Sequence, residues 1–271
     1  MDEWLYSLPI GWMSVLVFSL TFFLTWITYA IVKIYAVGER AKAFSSISGG
    51  MLPPLGVVYG LFVTIVASQV WADIEKANTA VYREASALST AMFMASSFPG
   101  EPETRIRELI HRHIQEAVTH EWPQMAHHAV NLKITSQPLA EALQLALKLS
   151  PRSEGQTTAQ NAIVSALQNA LDARRQRIVV SLSEVHWVKW VCLILQAICT
   201  LLAIAMIHCN NRVASLSAMG IFATGVAVSV LIIVSHNKPF GGPLAVSILT
   251  CWRKLSRRKC SARPKPTAPS P

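Results

Sequence analysis

LGVVYGLFVTIVASQVWADIEKANTAVYREASALSTAMFMASSF, residues 55–98, decides the architecture. From Leu55 to Trp71 it carries no charge, which suits hydrocarbon. Asp73, Glu75, Lys76, Arg83 and Glu84 then come in quick succession, which suits water. Beyond Gly60 no proline or glycine interrupts the run until Phe98-Pro99-Gly100, so the pattern predicts a helix that starts in a membrane and continues out of it.

Three other stretches share the charge-free character of its first half. No Asp, Glu, Lys or Arg occurs from Trp4 to Val32, from Trp190 to Asn211 or from Val213 to Asn237, and the second gap itself extends from Ala43 to Ala72. Each exceeds the roughly 20 apolar residues that cross about 30 Å of hydrocarbon. Trp4, Tyr6, Trp12, Trp71, Trp187 and Trp190 stand near the ends, where amphipathic rings anchor at headgroup level. Across 271 residues, 52% hydrophobic and 14% charged side chains agree with a membrane protein. A typical soluble domain is about 25% charged. The acidic start Met1-Asp2-Glu3 is unlike the basic start of a cleaved signal peptide, so the first span is expected to be retained.

These gaps set the expected organisation. Residues 1–72 hold the first two spans, 73–185 a soluble helical domain, 186–245 the third and fourth spans, and 246–271 an interfacial segment and a basic tail. The first span is expected over Ile10 to Lys33. A new helix is expected from Glu101, with Ile106, Leu109, Ile110, Ile114, Ala117 and Val118 on its apolar side, running to Trp122-Pro123. Shorter helices are expected around Pro138 to Leu149, then a polar loop from Pro151 to Thr158. A long helix from about Ala159 is expected to enter the third span unbroken. No stretch alternates as a strand does, so the fold class is all-α.

The net charge of +9 arises mostly in the tail, where Arg253, Lys254, Arg257, Arg258, Lys259, Arg263 and Lys265 form a run without an acid. Beside a membrane segment such a run reads as contact with anionic lipid or as a topology signal rather than as nucleic-acid binding. Both termini and residues 73–185 are expected in the cytoplasm of an inner-membrane protein. That arrangement keeps the tail, Lys76, Arg83, Arg174, Arg175 and Arg177 inside and leaves only Lys33, Arg40, Lys42 and Arg212 outside. The acidic start followed by Lys33 favours the opposite orientation, but the larger count prevails.

Few residues suggest chemistry. His113, Glu116 and His120 share a helix face that could approach a metal, yet no fourth ligand joins them, and they read as core or solvated side chains. Cys192, Cys199, Cys209, Cys251 and Cys260 lack metal-ligand spacing. There is no phosphate loop, nucleophile elbow or HExxH motif, so no enzyme, catalytic residue, metal or cofactor is expected. In the soluble domain, Ala77, Ala80, Val81, Ala85, Leu88 and Met92 form one side of a helix with Glu84 at its edge. Arg174 and Arg177 project from the apolar face of the helix carrying Ile163, Leu167, Ala170 and Ile178. Buried charges need partners, so Glu84 and Glu121 are expected to pair with those arginines in a structural role. In the second span, Gly56, Gly60, Thr64 and Ala67 form a small-residue packing face. Val58, Leu61, Phe62, Ile65 and Gln69 lie opposite. They meet lipid, or line a narrow apolar pore of the kind that gates by dewetting.

Several short signatures follow one another: Gly60-Leu61, Trp71, Arg83-Glu84-Ala85-Ser86-Ala87-Leu88, Glu121-Trp122-Pro123-Gln124-Met125, the Arg174-to-Arg177 cluster and Pro239-Phe240-Gly241-Gly242. In this order they make the chain similar to the bestrophin-like family of bacterial membrane proteins. The resemblance covers roughly residues 50–245. Two positions depart from it: Asn237 stands where an acid is usual, and His186-Trp187 where a proline is usual. The resemblance implies a homo-oligomeric ion channel, with anions as the ions and Val58, Phe62, Ile65 and Gln69 of the second span lining the pore. The alternative is a non-conducting membrane scaffold whose helical domain binds a partner protein.

Overall fold

The computed structural model describes residues 9–36, 44, 49–126, 136–183 and 185–241. Among them every regular element is helical, and the chain is all-α. The helices are α1 (Ile10–Tyr35), α2 (Leu52–Met94), α3 (Glu101–Glu116), α4 (Trp122–Ala126), α5 (Gln137–Leu147), α6 (Glu154–Ser181), α7 (Trp187–Ile207) and α8 (Arg212–His236). Four of them, α1, α2, α7 and α8, are long and apolar enough to cross a membrane. The described residues divide into two compact units. One contains those up to Ile74 and from Ser183 onward, the other Glu75–Leu182.

In the first unit α1 packs on α7 and α8, and these two pack on each other. Met13, Val17, Thr21, Thr25, Thr28 and Val32 form the buried face of α1. Its threonines do not leave hydroxyls stranded, because Thr21 Oγ1 donates to the Val17 carbonyl and Thr25 Oγ1 to that of Thr21, both at 2.8 Å. Bonding within the helix is what a lipid solvent requires of polar groups. Tyr59, Val66 and Val70 of α2 join Leu193, Ala197, Val226 and Ile233 in one core. The opposite surface, including Trp12, Phe23 and Trp26 of α1 and Ile221 of α8, is exposed, as lipid-facing side chains would be.

In the second unit Ala77, Ala80, Val81, Ala85 and Leu88 are buried, and Met92 is half-buried. Gly100, with φ 104, turns the chain after the Ala95–Ser97 3-10 turn into α3. Only glycine adopts that backbone readily. The buried face of α3 is Ile106, Leu109, Ile110 and His113, continued by Ala117, while Val118 is exposed. The helix does not stop at Pro123. A π-helical turn, Ala117–Glu121, precedes it, and α4 carries on to Ala126. Pro123 has no N–H for the carbonyl four residues back and its ring would press on that carbonyl, so widening the ladder there relieves both faults. The extra residue rotates α4 by about 100° relative to its place in a regular helix. That rotation brings Trp122 (7% exposed) and Met125 (1%) onto the face of His113.

Two further boundaries differ from the sequence reading. The loop from Pro151 is shorter than expected, because Ser153 caps α6 through its side chain and the helix starts at Glu154. The helix expected to run into the third span is broken between Ser181 and Trp187. Side chains replace the backbone ladder at that break: Asn237 Oδ1 accepts from the Val185 N–H at 3.1 Å, and His186 Nδ1 accepts from the Val188 N–H.

Candidate functional site

The densest polar cluster lies inside the second unit. Arg177 is fully buried on α6, and its Nε and Nη2 donate to the two oxygens of Glu84 on α2 at 2.8 and 3.2 Å. Nη2 also donates to Glu121 Oε2 at 2.8 Å. Arg174, one turn earlier, donates through Nε to Glu121 Oε1 at 2.8 Å. His113 closes the series, with Nε2 2.9 Å from Glu84 Oε1 and Nδ1 2.9 Å from Ser136 Oγ. The Arg177 guanidinium also lies 5.3 Å from the centre of the Trp122 ring. Two arginines and two glutamates therefore alternate and cancel, which limits the cost of taking them out of water. Burial would push the Glu84 carboxyl up, but the Arg177 charge and the bonds from His113 and Arg177 outweigh it and hold Glu84 below its ordinary range.

The cluster brings Glu84, Arg174 and Arg177 together through Glu121. It also occupies both ring nitrogens of His113, leaving neither for a metal. His120 is exposed on the outer side of the π turn, and His127 and His128 lie outside the described residues. The place of His113 was readable from its spacing, since it falls between Ile110 and Ala117 on the apolar face.

The residues of the membrane half of α2 do not share one environment. Gly56, Gly60 and Thr64 are exposed, with Ala67 half-buried. A methyl group added at Gly56 or Gly60 would meet nothing within 4 Å. Val58 and Ile65 are also exposed, at 53% and 56%. Phe62 packs against the core, and Gln69 Oε1 accepts from Lys189 Nζ at the start of α7. That lysine borders the third charge-free gap, and its position alone could have flagged it. Nearby, the Trp71 and His236 rings stack with centroids 5.6 Å apart. Tyr59, hidden in sequence within an apolar run, points inward against Phe222, and its hydroxyl has no hydrogen-bond partner among the described residues.

A family model of the Bestrophin-like domain matches residues 15–248. The chain belongs to the Bestrophin-like family. No curated protein and no solved structure matches it. As a Bestrophin-like protein with four spanning helices, it is a multi-pass protein of the lipid bilayer. Three of its signature segments, at 83–88, 121–125 and 174–177, are distant in the sequence and meet in the buried cluster. A fourth places Phe240 in the interior, while Gly242 lies outside the described residues. Asn237, where an acid is usual, supplies an uncharged acceptor to Val185.

Proposed function

We propose that this Bestrophin-like protein is a homo-oligomeric ion channel, selective for anions, with α2 at the axis of the ring. The coverage of the spans carries the reading. Only 17% of the membrane window of α2 is buried within the protomer, against 28% for α1 and 33% for α7 and for α8. The least covered helix is also the one with Gly56 and Gly60 on open space, where a neighbouring helix can approach closely.

In such a ring Val58 and Ile65 face the axis, with Phe62 and Gln69 at the seam beside α7. An apolar collar of this kind resists wetting and conducts only when widened. Lys189, bonded to Gln69, adds a positive charge at one mouth, which favours anions over cations. Both termini and residues 73–185 lie in the cytoplasm. The channel reading assigns no catalytic role to any residue.

One observation favours the scaffold reading instead. A groove of about 730 Å³ between α2 and α6 is lined by small and polar residues such as Ser86, Thr90, Ser165 and Asn169, with room for a partner's segment.

Anion flux into liposomes containing the purified protein separates the two. A channel gives flux above empty vesicles, raised by Ile65→Ala, which widens the collar, with the oligomer intact, and lost with the assembly in Gly60→Leu. Flux equal to that of empty vesicles for wild type and Ile65→Ala alike refutes the channel.

A further inference from the structure

At the end of the first unit away from Lys189, α1 finishes, α7 finishes and α8 begins. A cavity of about 140 Å³ opens among them, lined by Tyr29, Lys33, Cys209, Asn210, Arg212 and Ser215 together with small apolar side chains. A single water needs only about 10–15 Å³ by the same measure. The cavity has two cations and, among the described residues, no carboxylate. Neither Lys33 nor Arg212 makes an ion pair with another described residue there.

Two features mark the cavity as more than a gap. Arg212 opens the first turn of α8, where the helix dipole is positive and a cation is disfavoured unless an anion sits beside it. The amides of Val213 and Ala214 are already capped by Asn211 Oδ1, so the bare helix end is not what attracts a ligand. Ser215 is the second feature. Ser14, Thr21, Thr25, Thr224 and Ser229 each donate to the carbonyl four residues back. Ser215 does not. The residue is buried, 2% exposed, and among the described residues its hydroxyl has only the Met219 sulfur at 3.8 Å, a weak acceptor. A buried donor is thus left on the wall of a cationic cavity.

We propose that Lys33, Arg212, Tyr29 and Ser215 bind a phosphate anion, supplied in the membrane by the headgroup of an anionic phospholipid. The ends of three spanning helices lie at headgroup depth, where phosphate is abundant. Two cations with hydroxyl donors, and no acid among the described residues, suit its charge and its acceptor oxygens.

The test uses the full chain in neutral detergent and measures binding by titration calorimetry. The probes are dihexanoyl phosphatidic acid, inorganic phosphate and dihexanoylglycerol, which has the acyl chains without the phosphate. Wild type should bind phosphatidic acid and not dihexanoylglycerol. The Lys33→Gln/Arg212→Gln pair should lose at least about tenfold in affinity, as expected when charge-assisted hydrogen bonds are removed. Ser215→Ala, which deletes only a hydroxyl, should lose a few-fold and decides the matter if the double variant does not fold. Tighter binding of phosphatidic acid than of inorganic phosphate assigns the site to the headgroup, and equal binding assigns it to free phosphate. Wild type that binds neither, or variants that bind as wild type does, would overturn the proposal.

Discussion

Replacing Glu84 by Gln removes one charge from a site with no exposure to water. Arg177 then loses its bidentate partner but keeps Glu121 at 2.8 Å, so the cost falls at the lower end of the about 3–5 kcal/mol typical of breaking a buried pair. Arg177→Gln is harsher. It leaves Glu84 with His113 alone and Glu121 with Arg174 alone, and should cost about 5 kcal/mol. In the double variant no charge is stranded at Glu84, and the Arg174–Glu121 pair survives. Its cost should therefore fall short of the sum by about 2–3 kcal/mol. Hydrogen exchange read by mass spectrometry on the intact protein in detergent measures this directly. Peptides from 75–126 and 136–181 should open about a hundredfold more often in Glu84→Gln, since about 1.4 kcal/mol is a factor of ten. Costs that add within about 0.5 kcal/mol would show that the two side chains are not coupled, and the network as described would be wrong.

Other consequences are simpler to check. Because the Glu84 carboxyl is held below its ordinary value of 4.5, its contribution to stability is fully present above that pH and is lost as pH falls through the lowered folded value. A pH series of exchange rates should show this loss in wild type and a flatter profile in Glu84→Gln. Tyr59→Phe deletes a buried hydroxyl without a partner among the described residues, so thermal unfolding should be unchanged or shifted upward by up to about 1 kcal/mol. A clear loss would reveal that the hydroxyl is bonded to water. A reporter active only outside the cytoplasm, fused after Pro271, should be silent, and activity would invert the proposed topology.

The spans and the all-α class were legible because lipid imposes a one-dimensional rule: no charge for a membrane's thickness. The start of α3 was legible for a similar reason, since acids and Gly100 mark it locally. The break between α6 and α7 was not. No proline or glycine announces it, and the acceptor that compensates it, Asn237, is remote in sequence from Val185. The buried charges illustrate the same boundary. Arg174 and Arg177 on an apolar face announce that partners exist, and the two available glutamates narrow the choice. That one arginine bridges both glutamates, and that His113 completes the series, depends on how three helices pack. On α2, helical spacing sorted small from bulky residues. It could not tell which of them the protomer itself covers, and so Phe62 and Gln69 separate from Val58 and Ile65.

The π turn before Pro123 carries a consequence for how this sequence can vary. Val118, Thr119 and His120 are exposed, so substitution there should be nearly free. Their number is another matter. Deleting one would restore a regular helix and swing Trp122 and Met125 about 100° away from Arg177, and inserting one would overshoot by as much. Homologous chains should therefore diverge in letters across these positions while aligning there without a gap, a constraint on length that no single side chain expresses.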